Sequence, residues 1–281
     1  LDRGESNDWF DSIETILELT FAVVALYVFL VQVSLVKKPF LNPSLLKDRN
    51  FAVGLIIAFV FGMLNFTPIT ILPTLLQQLR GYPDSVIGLI LSARGLGTLI
   101  GFFVMAFSGK LDPRIPLSAG FVLQVIAGYL MWQFDINLTM VDVILAAGLQ
   151  GLGVGLMWVP LSVIAFSTLP AQFVPEGTAV FHLLRNIGSS IHISLSIALV
   201  LRTTKVNYAQ MAEFISPYNK NFNIPSISGE WGFDGINQLV GIGNEVMRQS
   251  MMIGYLNSFA FFTLTAAIGM PLIFLVRQRN R

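Results

Sequence analysis

Six polar residues recur down one predicted helix of this chain: Thr178, His182, Arg185, Ser189, His192 and Ser196. Their spacing alternates between four and three residues, so at ~100° per residue they fall within an arc of roughly 80° on one face. The opposite face carries Val180, Leu183, Ile187 and Ile191. In a membrane span such a stripe cannot face lipid. It either lines water and a passing solute or bonds neighbouring helices as static contacts. Arg185, near mid-span, favours the first reading, because an arginine there costs ~2.5–3.5 kcal/mol even on the mildest scale. His182 and His192 are ten residues apart, about 15 Å along a helix. They cannot share a metal, and no cofactor is expected.

Arg94 is the second intramembrane charge, within Ser92-Ala93-Arg94-Gly95-Leu96-Gly97. Asp84, Asp135, Asp142 and Glu176 all sit near predicted span ends, which leaves both arginines without a carboxylate nearby in sequence. The acceptors on offer are backbone carbonyls, Asn65, Gln150, lipid phosphate, or acids on another part of the protein. Snorkelling to an interface is the plainer reading of Arg94. Glycines recur as Gly97-x3-Gly101 and Gly151-x3-Gly155, a spacing that lets membrane helices approach closely. A nucleotide loop would need a preceding strand, and the sequence offers none. Metalloprotease, nucleophile-elbow and phosphate-loop motifs are absent from it, so the reading is not an enzyme.

These residues need long helices to hold them. The chain has 281 residues, 54% hydrophobic and 12% charged, about half the charge of a soluble domain. The apolar residues come in blocks of about twenty or more, the length that crosses ~30 Å of hydrocarbon. Without period-two alternation, helices are the only spanning structure left. Spans are predicted at 15–36, 51–78, 85–108, 115–134, 139–168, 176–201 and 251–276. Pro68, Pro73 and Pro160 lie inside them and predict kinks. The net charge of +1 gives no reason to expect nucleic acid, and no cysteine is present.

Basic residues in short loops predict orientation. Lys37, Lys38, Lys47 and Arg49, then Lys110 and Arg114, then Arg277, Arg279 and Arg281 share one side if seven spans are counted. That side is cytoplasmic, with the C-terminus on it. Residues 202–250 become a long external loop with Trp231 and Phe233 at its middle; its second half, Ile236 to Arg248, is a candidate interfacial helix.

Leu1-Asp2-Arg3-Gly4 with Asp8-Trp9-Phe10, then Pro43 to Phe51 (PSLLKDRNF), Arg94-Gly95-Leu96-Gly97, Gln150-Gly151, Val159-Pro160-Leu161 and Arg185 to Ile191 (RNIGSSI) follow one another in order. Together they resemble the fourteen-span drug:proton antiporters, the EmrB/QacA-like branch of the major facilitator superfamily. The resemblance covers essentially the whole chain. It implies an all-α integral membrane protein with one linker helix (within 1–50) and the C-terminal six-helix transporter bundle (51–281). It implies too that the N-terminal half is missing, consistent with an opening at Leu1 inside a loop. Gly109, Lys110, Asp112 and Arg114 look like the C-half version of the charged gating loop. Ala147 stands where the N-half motif has its arginine, and Asn257 where many relatives carry an acid.

The function implied is half of a proton-driven multidrug exporter in the inner membrane, working by alternating access. Arg185, His182, Ser189, His192, Gln150, Asn65 and Arg94 are the cavity candidates. The partners implied are the lipid bilayer, a small lipophilic substrate, the N-terminal half and a periplasmic adaptor. The alternatives are a non-transporting scaffold or accessory subunit and, less well matched, a channel.

Overall fold

The computed structural model describes residues 12–35, 43–107, 111–216, 218–219 and 235–276. The order is α1 (Ile13–Leu35), α2 (Arg49–Arg80), α3 (Asp84–Phe107), α4 (Arg114–Trp132), α5 (Met140–Phe166), α6 (Val174–Ala212) and α7 (Ile236–Gly269). No strand occurs among the described residues. Six helices, α2 to α7, are long and apolar enough to cross a membrane. The additional helix, α1, has 23 residues; its described side chains are mostly exposed, Phe21 and Tyr27 among them.

Helix ends follow local chemistry. Asp48 accepts the Phe51 N–H at 2.8 Å to open α2, and accepts the Thr168 hydroxyl at 2.7 Å, tying that end to the α5–α6 corner. Gly81 closes α2 in the left-handed region, φ 63°, where a side chain would be strained. Thr139 and Asp142 cap one another at the start of α5, a reciprocal arrangement that satisfies two orphan donors.

The bundle is built on two close crossings, α3 on α5 and α2 on α6. A Cβ at Gly151 would overlap the Arg94 carbonyl oxygen, and one at Gly97 would overlap the Gly148 carbonyl. The other crossing repeats this pattern. A Cβ at Gly62 would overlap the Arg185 carbonyl, and one at Gly188 the Phe59 carbonyl. In both crossings an arginine and the glycine three residues after it meet a neighbouring backbone. The two three-helix halves, α2–α4 and α5–α7, are thereby related as an inverted repeat.

Two apolar clusters fill the interior. One, at the end where α2 begins, contains Phe51, Phe61, Leu117, Phe121, Met157 and Phe262. The other, toward the α2 C-terminus, contains Leu72, Leu76, Met131, Val143, Tyr255 and Phe259. Between them lie buried polar side chains of four helices, Thr67 on α2, Gln124 on α4, Gln150 on α5 and His192 on α6. The positions that candidate site residues occupy are the break between the clusters.

The predicted loop at 202–250 is corrected. Residues 202–212 extend α6 and residues 236–250 open α7, so the connection shrinks to 213–235. Arg202, Lys205, Asn207 and Gln210 end the apolar run, but nothing in them ends a helix. One face of the extension stays packed: Thr204, Ile242 and Ser250 are buried, and a Cβ at Gly254 would lie 2.7 Å from the Val200 carbonyl. The predicted interfacial helix from Ile236 is the first part of α7 itself. Trp231, Phe233 and the basic residues Lys37, Lys38, Lys110, Arg277, Arg279 and Arg281 lie outside the described residues.

Candidate functional site

Arg94 does not snorkel. Its Nε donates to Gln150 Oε1 at 2.6 Å, and its Nη2 donates to the Asn65 side chain at 2.6 Å and the Asn65 carbonyl at 3.0 Å. Three of the predicted residues, on α3, α5 and α2, therefore form one group. Gln150 is fully buried; its Nε2 donates to the Leu64 carbonyl at 3.1 Å and to Gln124 Oε1 at 3.2 Å. Gln124 donates back to the Gln150 carbonyl at 2.9 Å. The pair of amides joins α4 to α5 and turns the oxygen end of the Gln150 amide to the guanidinium. Arginine is held by neutral acceptors throughout, each charge-assisted bond stronger than one between neutral groups.

The α6 stripe divides. Its later half, Ser189, His192 and Ser196, is buried. His192 Nδ1 lies 2.7 Å from Thr67 Oγ1 on α2, and its Nε2 lies 3.2 Å from Thr265 Oγ1 on α7. The imidazole stacks on Phe261, centroids 4.6 Å apart at 10°. This part bonds helix to helix, the static alternative.

The earlier half is open. Arg185 is half-buried, and its described acceptor is Asn186 Oδ1, 3.1 Å from Nη2 and 3.4 Å from Nε. Its guanidinium lies over two aromatic faces, 5.2 Å from the Trp158 centroid and 5.7 Å from that of Phe66. His182 lies against the same indole at 6.0 Å. Phe66 follows Asn65 on α2, so the Arg94 group and the Arg185 group flank one stretch of helix. The cavity candidates thus fall into three groups, not one site.

Of the gating-loop candidates, Gly109 and Lys110 lie outside the described residues. Asp112 accepts the Arg114 N–H at 3.0 Å. Arg114 Nη2 donates to the Val276 carbonyl, clipping the start of α4 to the segment after α7. Sequence reasoning missed Gln124, Thr67, Thr265, Phe66 and Trp158. Gln124 carries the same signal as Gln150, an amide in the middle of an apolar span.

Across residues 13–199 the chain matches the Major Facilitator Superfamily. It belongs to that superfamily. Among curated members, the multidrug export protein EmrB of Haemophilus influenzae is 29% identical over 278 residues, 95% of this chain and 54% of the relative. The fatty acid resistance protein FarB of Neisseria gonorrhoeae is 28% identical over 281 residues, 99% and 55% respectively. The lincomycin resistance protein LmrB of Listeria innocua is 22% identical over 276 residues, 97% and 52%. The chain spans about half the length of these superfamily relatives. Six bundle helices in an inverted repeat are what one half of such a transporter contains.

Proposed function

We propose that the chain is the C-terminal bundle of a proton-driven multidrug efflux transporter of the inner membrane, working by alternating access with an N-terminal half. The observation that carries this is the half-buried face where Arg185, Trp158, Phe66 and His182 meet. A scaffold bundle has no reason to hold a cation and two aromatic faces half-exposed within its membrane-spanning helices, where such groups mark solute paths. The relatives' names, multidrug export and fatty acid resistance, support export of small lipophilic compounds. In this reading α1 is the linker span before the bundle, the C-terminus is cytoplasmic, and the α6–α7 overhang is the external surface that meets an adaptor.

Cavity lining falls to Arg185, His182 and the end of Phe66. Arg94, Asn65 and Gln150 brace the wall behind them, and His192 with Ser189 holds α6 to α2 and α7. Asp112 and Arg114 secure the cytoplasmic end of α4. The test is efflux of a neutral lipophilic dye, Nile red, from cells carrying the gene with all sequence upstream in frame, wild type against Arg185→Ala at matched membrane expression. At least a ten-fold lower efflux rate is expected for the variant. Wild-type efflux in Arg185→Ala would remove that face from the transport path.

A further inference from the structure

Four consecutive residues of α2 are each held by a different group. The Leu64 carbonyl accepts Gln150 Nε2 from α5 at 3.1 Å, and Asn65 accepts Arg94 Nη2 from α3. Phe66 lies against Arg185, and Thr67 lies beside His192, both on α6. Successive helical residues point ~100° apart, so this single turn is gripped around most of its circumference. Pro68 follows at once, inside the helix. A proline has no N–H, so the carbonyl four residues earlier, that of Leu64, loses its helix bond. Leu64 is fully buried, where an unpaired carbonyl costs as much as a lost hydrogen bond. Gln150 fills the gap. Its amide has two N–H donors and one oxygen, and all of them are engaged, with the Leu64 carbonyl, Gln124 Oε1 and Arg94 Nε.

We propose that Gln150 is a positioning residue of the transport path: it takes the place of the hydrogen bond that Pro68 removes, and so fixes the joint of α2 on which Phe66 is presented to Arg185. A proline leaves a membrane helix with a weak point that a neighbouring helix must complete. Here the completing group comes from α5, the helix that also carries Trp158, the other aromatic wall of Arg185. Gln124 and Arg94 hold the amide the right way round, because turning it over would set its oxygen against the Leu64 carbonyl and Gln124 Oε1, and its N–H groups against the guanidinium. Without Gln150 the joint is loose, and Phe66 no longer has one position against Arg185. The consequence for efflux rests on the transport reading; the pairing of Gln150 with the gap at Pro68 does not.

Two double-mutant cycles test the two parts. Pro68→Ala returns an N–H to the α2 ladder, so the Leu64 carbonyl no longer depends on Gln150. In thermal unfolding of the purified chain in detergent, read by circular dichroism, the fall in midpoint caused by Gln150→Leu should be at least halved when Pro68→Ala is already present. Equal falls in the two backgrounds would overturn the pairing. Gln150→Asn, which keeps a buried amide one methylene too short to reach the Leu64 carbonyl, runs the same cycle if Gln150→Leu does not fold. The second cycle is Nile red efflux from cells carrying the gene with all upstream sequence in frame, at matched membrane expression. Gln150→Leu should lower the rate at least five-fold in the unsubstituted protein and less than two-fold when Phe66→Ala is already present, a non-additivity that a general loss of stability does not produce. Losses that multiply independently would overturn the action through Phe66. Efflux by the unsubstituted protein no faster than from cells without the gene is the failure of the transport reading, and the unfolding cycle then decides the pairing on its own.

Discussion

The α3–α5 crossing and the α6–α2 crossing use one backbone plan and end with different chemistry. In each, a helix lays an arginine carbonyl on a glycine and the next turn repeats the contact. On α3 the side chain that follows is sealed into a network with Asn65, Gln150 and, behind them, Gln124. On α6 it emerges between Trp158 and Phe66 with one amide beside it. Helix packing depends on the glycines and not on what the arginines do. One repeat was free to turn its arginine into an internal brace while the other left its arginine open. A membrane arginine is therefore not a functional residue by position alone; its ligands decide.

The strongest way to break this comparison is at the glycines. Gly62→Ala and Gly151→Ala each push a methyl into a backbone carbonyl, which cannot rotate away as a side chain can. Each is expected to cost about 1–3 kcal/mol, the range for overpacking, and the two losses should agree within about 0.5 kcal/mol. Gly88→Ala and Gly95→Ala on α3, where an added Cβ meets nothing within 4 Å, are the controls and should stay near neutral. Thermal unfolding in detergent monitored by circular dichroism reads all four. A neutral Gly62→Ala beside a damaging Gly151→Ala would end the claim that the crossings are equivalent.

Next in size is the difference in ligation. Gln150→Leu removes the acceptor of Arg94 Nε and the donor to Gln124 Oε1, so it is expected to cost about 1.5–3 kcal/mol, the range for a lost bond to a charged group. Asn186→Ala on the other side removes an exposed partner and should stay within about 0.5 kcal/mol. Chemical unfolding midpoints in mixed micelles compare the two. Similar losses would mean that Arg185 is as firmly braced as Arg94, and the contrast would fail.

Much of this was legible from residue types and much was not, for reasons the two regions make plain. The apolar blocks gave the six bundle helices to within a few residues at most ends, because lipid leaves helices as the only choice. The far ends of α6 and the near end of α7 were cut short, because hydropathy measures the membrane and not the helix. Asn65 and Gln150 were readable as partners for a mid-span arginine, since few other acceptors lie at that depth, and Gln124 should have been read by the same rule. Trp158 and Phe66 were not readable as the neighbours of Arg185. That contact depends on how α5 and α2 rotate against α6, which a helical wheel does not contain. The even polar stripe on α6 hid a division between a buried half and an open one for the same reason.

The smallest effect expected belongs to the buried half of that stripe. Thr67 and Thr265 are silent in sequence, because a membrane threonine can satisfy itself on its own helix, and both do: Thr67 Oγ1 donates to the Met63 carbonyl at 2.8 Å and Thr265 Oγ1 to the Phe261 carbonyl at 2.9 Å. Each is also within reach of one His192 nitrogen. A neutral imidazole offers one donor and one acceptor, so when the two nearer hydroxyls, those of the threonines, are its partners, one receives from the ring while the other gives up its carbonyl to donate; Ser196 Oγ is the longer neighbour, 3.5 Å from Nδ1. Thr67→Val and Thr265→Val are each expected to cost about 0.6 kcal/mol, the average for such bonds between membrane helices. The double variant should cost more than their sum, because the first substitution leaves the ring free to settle on the remaining threonine and the second leaves it only the more distant Ser196 hydroxyl. Unfolding midpoints for the two singles and the double measure that coupling. Strict additivity would show that the ring does not choose between the two hydroxyls, and that His192 is held by its stacking on Phe261 rather than by its nitrogens.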